Sequence, residues 1–371
     1  MQEKADHQIA SGDEVLDRSK DHLWRGHALA VIATFCVGVV LLVLFVALLN
    51  PFGNLPTGLF GRHVVMDINQ RFQYPALIRE KNFDSFVLGT STSRLLDPDQ
   101  LAAKFGGRFI NLAINSGRAW EQAELGKLAL RNVPQPRNVL IGLDYVWCAI
   151  DADVERITER GFPEWMFDDD PYNDVPFMLN FRTVEIAARK LFYHMGFIGP
   201  RIPSNGYEVF VPPEDEYDAK KASRKIWRGR QRDSRRGPYE ASEAERKAWR
   251  FPALSWLETF LGSLPPETNK MLMWMPVHIA GRPPVGTVQL AREEECKLRV
   301  AEIAARHKAH DVDFRITSAI TKNDKNYWDR LHYRVPIATQ IVDELALAVK
   351  TGADSPKKLW VYSAGPAAGK L

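Results

Sequence analysis

The chain has 371 residues, 45% hydrophobic and 26% charged, the balance of a globular protein with a sizeable core. A net charge of +3 over this length gives no reason to expect a nucleic-acid partner and leaves every other substrate class open. Three cysteines exclude a disulfide-built scaffold, and for the two outside the apolar N-terminal segment, Cys148 and Cys296, a bridge and free buried thiols both stand open.

Residues 1–27 are polar, mixed in charge and without an apolar period, which predicts a tail without fixed structure. From Ala28 to Leu49 the chain runs for 22 residues with no charge and no proline. As a helix that segment reaches about 33 Å, enough to cross a bilayer core. A cleaved export signal has a shorter apolar core and a small-residue cleavage site, and "NPFGNLP" does not supply one. Arg18, Lys20 and Arg25 precede the segment, whereas the first basic residue after it is Arg62. The excess of positive charge predicts a cytoplasmic tail over 1–27 and a transmembrane helix in an inner membrane over 28–49. Everything beyond is then periplasmic or extracellular. The turn-rich "NPFGNLPTG" opens an expected linker over 50–80.

Beyond the linker, apolar runs suited to buried strands stand at 83–89, 108–114, 138–147, 270–278 and 310–316. Helical stretches lie between and after them at Pro98–Phe105, Trp120–Asn132, Pro252–Leu264, Gln289–His307 and Ile337–Lys350. This alternation predicts an α/β domain over 81–350, with a parallel five-stranded sheet and helices on both faces. An insertion at 151–250 carries a helix-like "RTVEIAARKLFYHM" and a basic run in which nine of the seventeen residues Lys220–Arg236 are Lys or Arg. That run is either a solvated loop or a surface for an anionic glycan or lipid, with Trp227 favouring contact. Residues 351–371 read as a C-terminal tail.

Ligands in such sheets bind beyond the carboxyl ends of the strands. "FVLGTSTSR" ends the first strand there, and its serines are poor nucleophiles without a base and an orienting partner. Near the C-terminus "DRLH" supplies both. Asp329 stands three residues before His332, and on a helical turn the two side chains project the same way. Ser93 is the rival nucleophile. Arg94 is a candidate for an anionic substrate group, although a structural ion pair fits it better, and His278, at the end of the fourth strand, is expected to be a hydrogen-bonded structural residue. The acidic "FDDDP" at 167–171 has no second ligand group at a suitable spacing, and no glycine-rich phosphate loop is present. No metal and no cofactor are expected.

With these blocks in this order, the chain resembles the SGNH (GDSL-like) hydrolase superfamily. Gly89-Thr90-Ser91-Thr92-Ser93 is similar to its first block, and Asp329-Arg330-Leu331-His332 to its last. The resemblance implies an SGNH/flavodoxin-like three-layer sandwich with Ser91, His332 and Asp329 as catalytic residues. It also implies oxyanion or substrate-binding groups at Gly117 or Asn115 after the second strand, and at Asp144 after the third. Two positions depart from the family pattern. Thr90 replaces an aspartate, and Asp144 replaces a neutral asparagine donor, which an ionised carboxylate cannot imitate. Membrane-anchored proteins similar to this one modify envelope polymers. The resemblance thus implies a serine esterase or O-acyltransferase acting on a cell-envelope or extracellular polysaccharide, with a membrane-embedded acyl-donor protein as a candidate partner. The alternative is a catalytically degenerate SGNH-like binding or assembly subunit of an envelope-polymer complex.

Overall fold

The computed structural model describes residues 2–55, 58–60, 66–67, 69–168, 170, 172–229 and 239–366, with side chains from residue 23 onward. Helix α1 (Gln2–Leu49) includes one stretch, Leu23–Leu49, long and apolar enough to cross a membrane, with mean hydropathy 3.1. Its backbone is helical from Gln2, so the segment expected to lack structure continues the helix. Helix propagation from an existing helix costs little, whereas nucleation in isolation costs much.

Six strands form one sheet: β1 (Ser85–Leu88), β2 (Phe109–Asn111), β3 (Asn138–Leu143), β4 (Asn269–Trp274), β5 (His310–Asp313) and β6 (Val361–Ala364). Their order is β2-β1-β3-β4-β5-β6, parallel throughout except for β6, which runs antiparallel to β5. Alternate side chains feed two cores. Phe86, Leu88, Val139, Ile141, Leu272 and Trp274 join one, and Val87, Leu140, Met271, Met273 and Val312 join the other. Helices α4 (Ala119–Asn132), α9 (Ala253–Ser263) and α10 (Val288–Arg306) cover the first core, while α3 (Pro98–Phe105) and α11 (Val335–Thr351) cover the second. Fully burying one such Leu or Phe contributes about 1.5–3 kcal/mol.

Local signals set the helix ends. Asp97 caps α3 by accepting from the Asp99 amide at 2.9 Å, and Pro98 fills the first position, where no amide proton is needed. Thr287 caps α10, and α11 stops at Gly352 in the left-handed region.

Two expected boundaries are corrected. The 50–80 segment is not a linker, because it contains α2 (Gln70–Arg79), in which Tyr74, Leu77 and Ile78 are buried and Arg71 pairs with Glu121 at 2.8 Å. The 351–371 segment is not simply a tail, because Leu359 and Trp360 are buried and β6 makes a sixth strand where five were expected. As an edge strand with one face exposed, β6 needs no long apolar run. Within the insertion lie α5 (Val175–Met178), α6 (Phe181–His194), α7 (Ala219–Trp227) and α8 (Glu243–Ala248). The insertion is not peripheral, since Ile186, Ile202, Ile226 and Trp249 are buried in the domain. Residues 230–236 of the basic run lie outside the described residues.

Candidate active site

The order β2-β1-β3 reverses the winding of the sheet between β1 and β3, and clefts form at the carboxyl ends beside such a reversal. Ser91 follows β1 and Asp144 follows β3, one on each side of it.

Strand β1 ends at Leu88, and Gly89 turns with φ 156°. A Cβ on Gly89 would lie 2.3 Å from Ser93 Oγ, and one on Gly142 of β3 would lie 1.9 Å from it. The two glycines therefore make room for Ser93, which is completely buried with no hydrogen-bond partner for its hydroxyl. Ser91 opens a short 3-10 turn, Ser91–Ser93, and lines a cavity of about 360 Å³. Of the two serines, Ser91 is the accessible one.

His332 Nε2 lies 2.9 Å from Ser91 Oγ, and its Nδ1 lies 2.8 Å from Asp329 Oδ2. The other Asp329 oxygen accepts from the amides of Leu331 and His332 at 2.8 and 2.9 Å. Burial alone would raise the Asp329 pKa, but the hydrogen bond and charge of His332 and these two amides outweigh it and hold the carboxyl below its usual range. An ionised Asp329 accepts a hydrogen bond from Nδ1–H and so holds that tautomer, which leaves Nε2 to accept from the Ser91 hydroxyl.

The pair does not sit on a helical turn, as its spacing predicts. Tyr327 and Tyr333 form an antiparallel bridge, and Trp328 N donates to His332 O at 2.8 Å, so Asp329 and His332 occupy a tight hairpin loop. Tyr333 Oη donates to the Thr92 carbonyl, tying this loop to the serine turn. The insertion braces the loop further. Tyr217 Oη donates to Asp324 O at 3.1 Å, Arg330 Nε donates to Ile226 O at 2.6 Å, and Phe210 packs edge-on to the His332 ring at 5.2 Å. Trp227 donates to Asp324 Oδ2 at 2.9 Å, which braces the loop, while the residue stays 44% exposed. His278 is buried, accepting from Ala280 N at 3.1 Å and reaching Asp324 at 3.1 Å, the structural role expected of it. Sequence spacing carries no signal for contacts across more than a hundred residues.

The remaining expected groups divide. Asp144 lines the cavity, but buried in its wall as an acceptor, taking hydrogen bonds from Thr90 Oγ1 and from Val146 N at 3.1 Å. The two departures from the family pattern are thus partners of each other. Burial pushes the Asp144 pKa up, opposed in part by those hydrogen bonds and by Arg315. Arg315, which sequence reading missed, lines the same cavity and pairs with Glu293 at 3.0 Å. The Gly117 amide donates to Ile114 O at 3.2 Å, so it is engaged within its own turn. Its lack of a side chain serves packing, because a Cβ there would meet Ile114 at 2.5 Å. Arg94 does not face the cavity. It is buried, holds Asn115 Oδ1 at 2.8 Å, pairs with Glu208 and stacks on Phe210. Asn115 is outside the cavity lining, and its Nδ2 has no acceptor among the described residues.

A larger cavity of about 830 Å³ adjoins the first and shares Arg118, Tyr145, Arg315 and Leu331 with it. Cys148, in its wall, is bonded to Cys296 of α10, with the Cα atoms 5.7 Å apart. The bridge closes the question that the cysteine count left open. It fixes the turn Tyr145–Cys148, whose cap is Asp144. Among the described residues no group of three or more His, Cys, Asp or Glu could hold a metal ion, and residues 169 and 171 of the acidic 167–171 segment lie outside them. In comparisons with known proteins, the chain matches no protein-family model and no curated protein.

Proposed function

We propose that this is a membrane-anchored, SGNH-like serine esterase or O-acyltransferase acting on an ester of a cell-envelope or extracellular polysaccharide. One observation carries the reading: the continuous relay from Ser91 Oγ through His332 to Asp329, at 2.9 and 2.8 Å, at the edge of a cavity. His332 would take the Ser91 proton as the hydroxyl attacks an ester carbonyl, and Asp329 would stabilise the imidazolium. His332 would then return that proton to the leaving alcohol. Water, or a sugar hydroxyl seated in the adjoining cavity, would next attack the acyl-serine. The Ser91 amide would be a donor to the oxyanion, since Asn115 is outside the cavity lining and the Gly117 amide is engaged elsewhere. The acyl group would come from a soluble ester or from a membrane-embedded acyl-donor protein.

The charge asymmetry around α1 supports a cytoplasmic N-terminus and a periplasmic or extracellular domain, and the Cys148–Cys296 bridge suits an oxidising compartment. A second reading, a non-catalytic binding or assembly subunit, draws on the carboxyl at Asp144 where a neutral donor belongs. A fluorophosphonate probe separates the two. Wild type and Ser93→Ala should label and Ser91→Ala should not, whereas an unlabelled, folded wild type would favour the binding subunit.

A further inference from the structure

On α1, residues 23–44 are exposed on every side, and Val46 and Leu49 are the first to be buried in the domain. The charge-free part of that exposed stretch, residues 28–44, is 17 residues or about 26 Å, and Val46 and Leu49 of the same apolar run are buried against the domain. The domain is therefore packed directly on the end of that helix. The unit α5–α6 provides that seat. Asn54 Nδ2 donates to Asp174 just before α5 and lies 3.4 Å from Met178 Sδ at its end. Lys190 Nζ of α6 donates to Asn50 O at 3.0 Å, and burial pulls the Lys190 pKa down to about 8. Asn50 is the first residue beyond α1, so whatever is bonded to it stands at the level where the chain leaves the bilayer.

At both ends of this unit large apolar side chains face outward. Leu179 and Phe181 are 60% and 84% exposed at the start of α6, and Phe192, Met195 and Phe197 are 46%, 55% and 69% exposed at its end. The cluster after α6 is ordered: Phe197 N donates to Phe192 O at 2.9 Å, and the two rings lie 6.2 Å apart. The charged residues between the two ends are paired, Arg182 with Asp67 and Arg189 with Glu185. Aromatic and aliphatic side chains held at the membrane–water boundary suit the zone of headgroups and upper acyl chains. Patches of this kind on a soluble surface mark an interaction site.

We infer that the α5–α6 unit is a second membrane contact, inserting Phe181, Leu179, Phe192, Met195 and Phe197 into the leaflet from which α1 emerges. It would hold the domain at a fixed tilt, independently of any chemistry at Ser91. The inference rests on α1 being a membrane span, and the native free cysteine, Cys36, tests that premise separately.

The full chain is reconstituted into phosphatidylethanolamine–phosphatidylglycerol vesicles with an NBD label either at Cys36 or, in Cys36→Ser/Phe197→Cys, at position 197. The Cys148–Cys296 bridge is kept oxidised, and an unchanged melting temperature certifies the variant fold. Lipids carrying a doxyl quencher near the chain end should quench the Cys36 probe. Lipids carrying it near the headgroup should quench the probe at 197, at a depth of about 5–10 Å, with loss of its iodide quenching. A probe at 197 quenched by iodide and not by lipid overturns the inference. So does one shielded from both, which would mean that a second copy of the chain covers the patch. If the Cys36 probe is not quenched by lipid, the premise and the inference fail together.

Discussion

Thr90 and Asp144, the two positions at which the chain departs from the pattern it resembles, are bound to one another. A carboxylate in the cavity wall near Ser91 opposes any oxyanion that forms there. Asp144→Asn keeps an oxygen to accept from Val146 N and replaces the other with a donor. The variant should melt like wild type and hydrolyse a small ester faster, by about tenfold or more if its amide reaches the oxyanion, since removing one such donor costs on the order of 10²–10³. A slower variant with unchanged melting would mean that the carboxyl itself serves substrate or orients Thr90. Ser91, His332 and Asp329 were legible in the sequence because strand-end position and i,i+3 spacing are local properties. Gly117 was misread, whereas for Arg94 the ion pair was expected and only its partners escaped. Phe210 and Glu208 lie more than a hundred residues from Arg94, and the Gly117 amide is spent in a turn that no motif describes.

Elements with a strong apolar period were legible almost to the residue: α9 lies one residue inside each expected end, and α10 begins one residue early and ends one residue early. Helix α2 escaped because its buried face includes Gln70, Arg71 and Gln73, and because Pro75 interrupts it. Of these, Arg71 is paired with Glu121, which offsets the cost of burying its charge. The disulfide joins two elements that the sequence leaves unrelated, the turn after β3 and α10, across 148 residues. A cross-link over so long a loop contributes about 2–5 kcal/mol to stability. Cys296→Ser should therefore lower the urea midpoint, and reductant should bring wild type down to the same value while leaving the variant unaffected. Because the bridge also fixes the turn that carries Tyr145 and Asp144, fluorophosphonate labelling of Ser91 should slow without disappearing. Equal midpoints for wild type with and without reductant would show that the bridge adds nothing to stability.

For the molecule as a whole, the sheet sets a pH dependence that no motif announces. Asp311 lies in β5, 1% exposed, and among the described residues only the Trp274 indole approaches its oxygens as a donor, outside good hydrogen-bond geometry. Burial, then the charge of Asp313, pushes its pKa up to about 8, with Lys297 and Trp274 opposing the rise only in part. Asp313 itself is satisfied by Lys297 at 2.8 Å, so the neighbouring cation is already committed. A carboxyl whose pKa is higher in the folded than in the unfolded chain keeps its proton longer on folding. Its contribution is therefore intact below the unfolded value near 4 and is lost as pH rises through about 8. Asp311→Asn removes the charge and keeps the shape. At pH 4, where Asp311 is protonated in the fold, variant and wild type should melt together. The variant should gain progressively from pH 5 upward, by on the order of 5 °C at pH 9, because each kcal/mol moves the midpoint of a chain this large by a few degrees or less. A gain that is the same at every pH would trace to shape rather than to the proton. No gain at pH 9 would mean that the folded chain accommodates the ionised carboxylate, and that the domain's alkaline stability is set elsewhere.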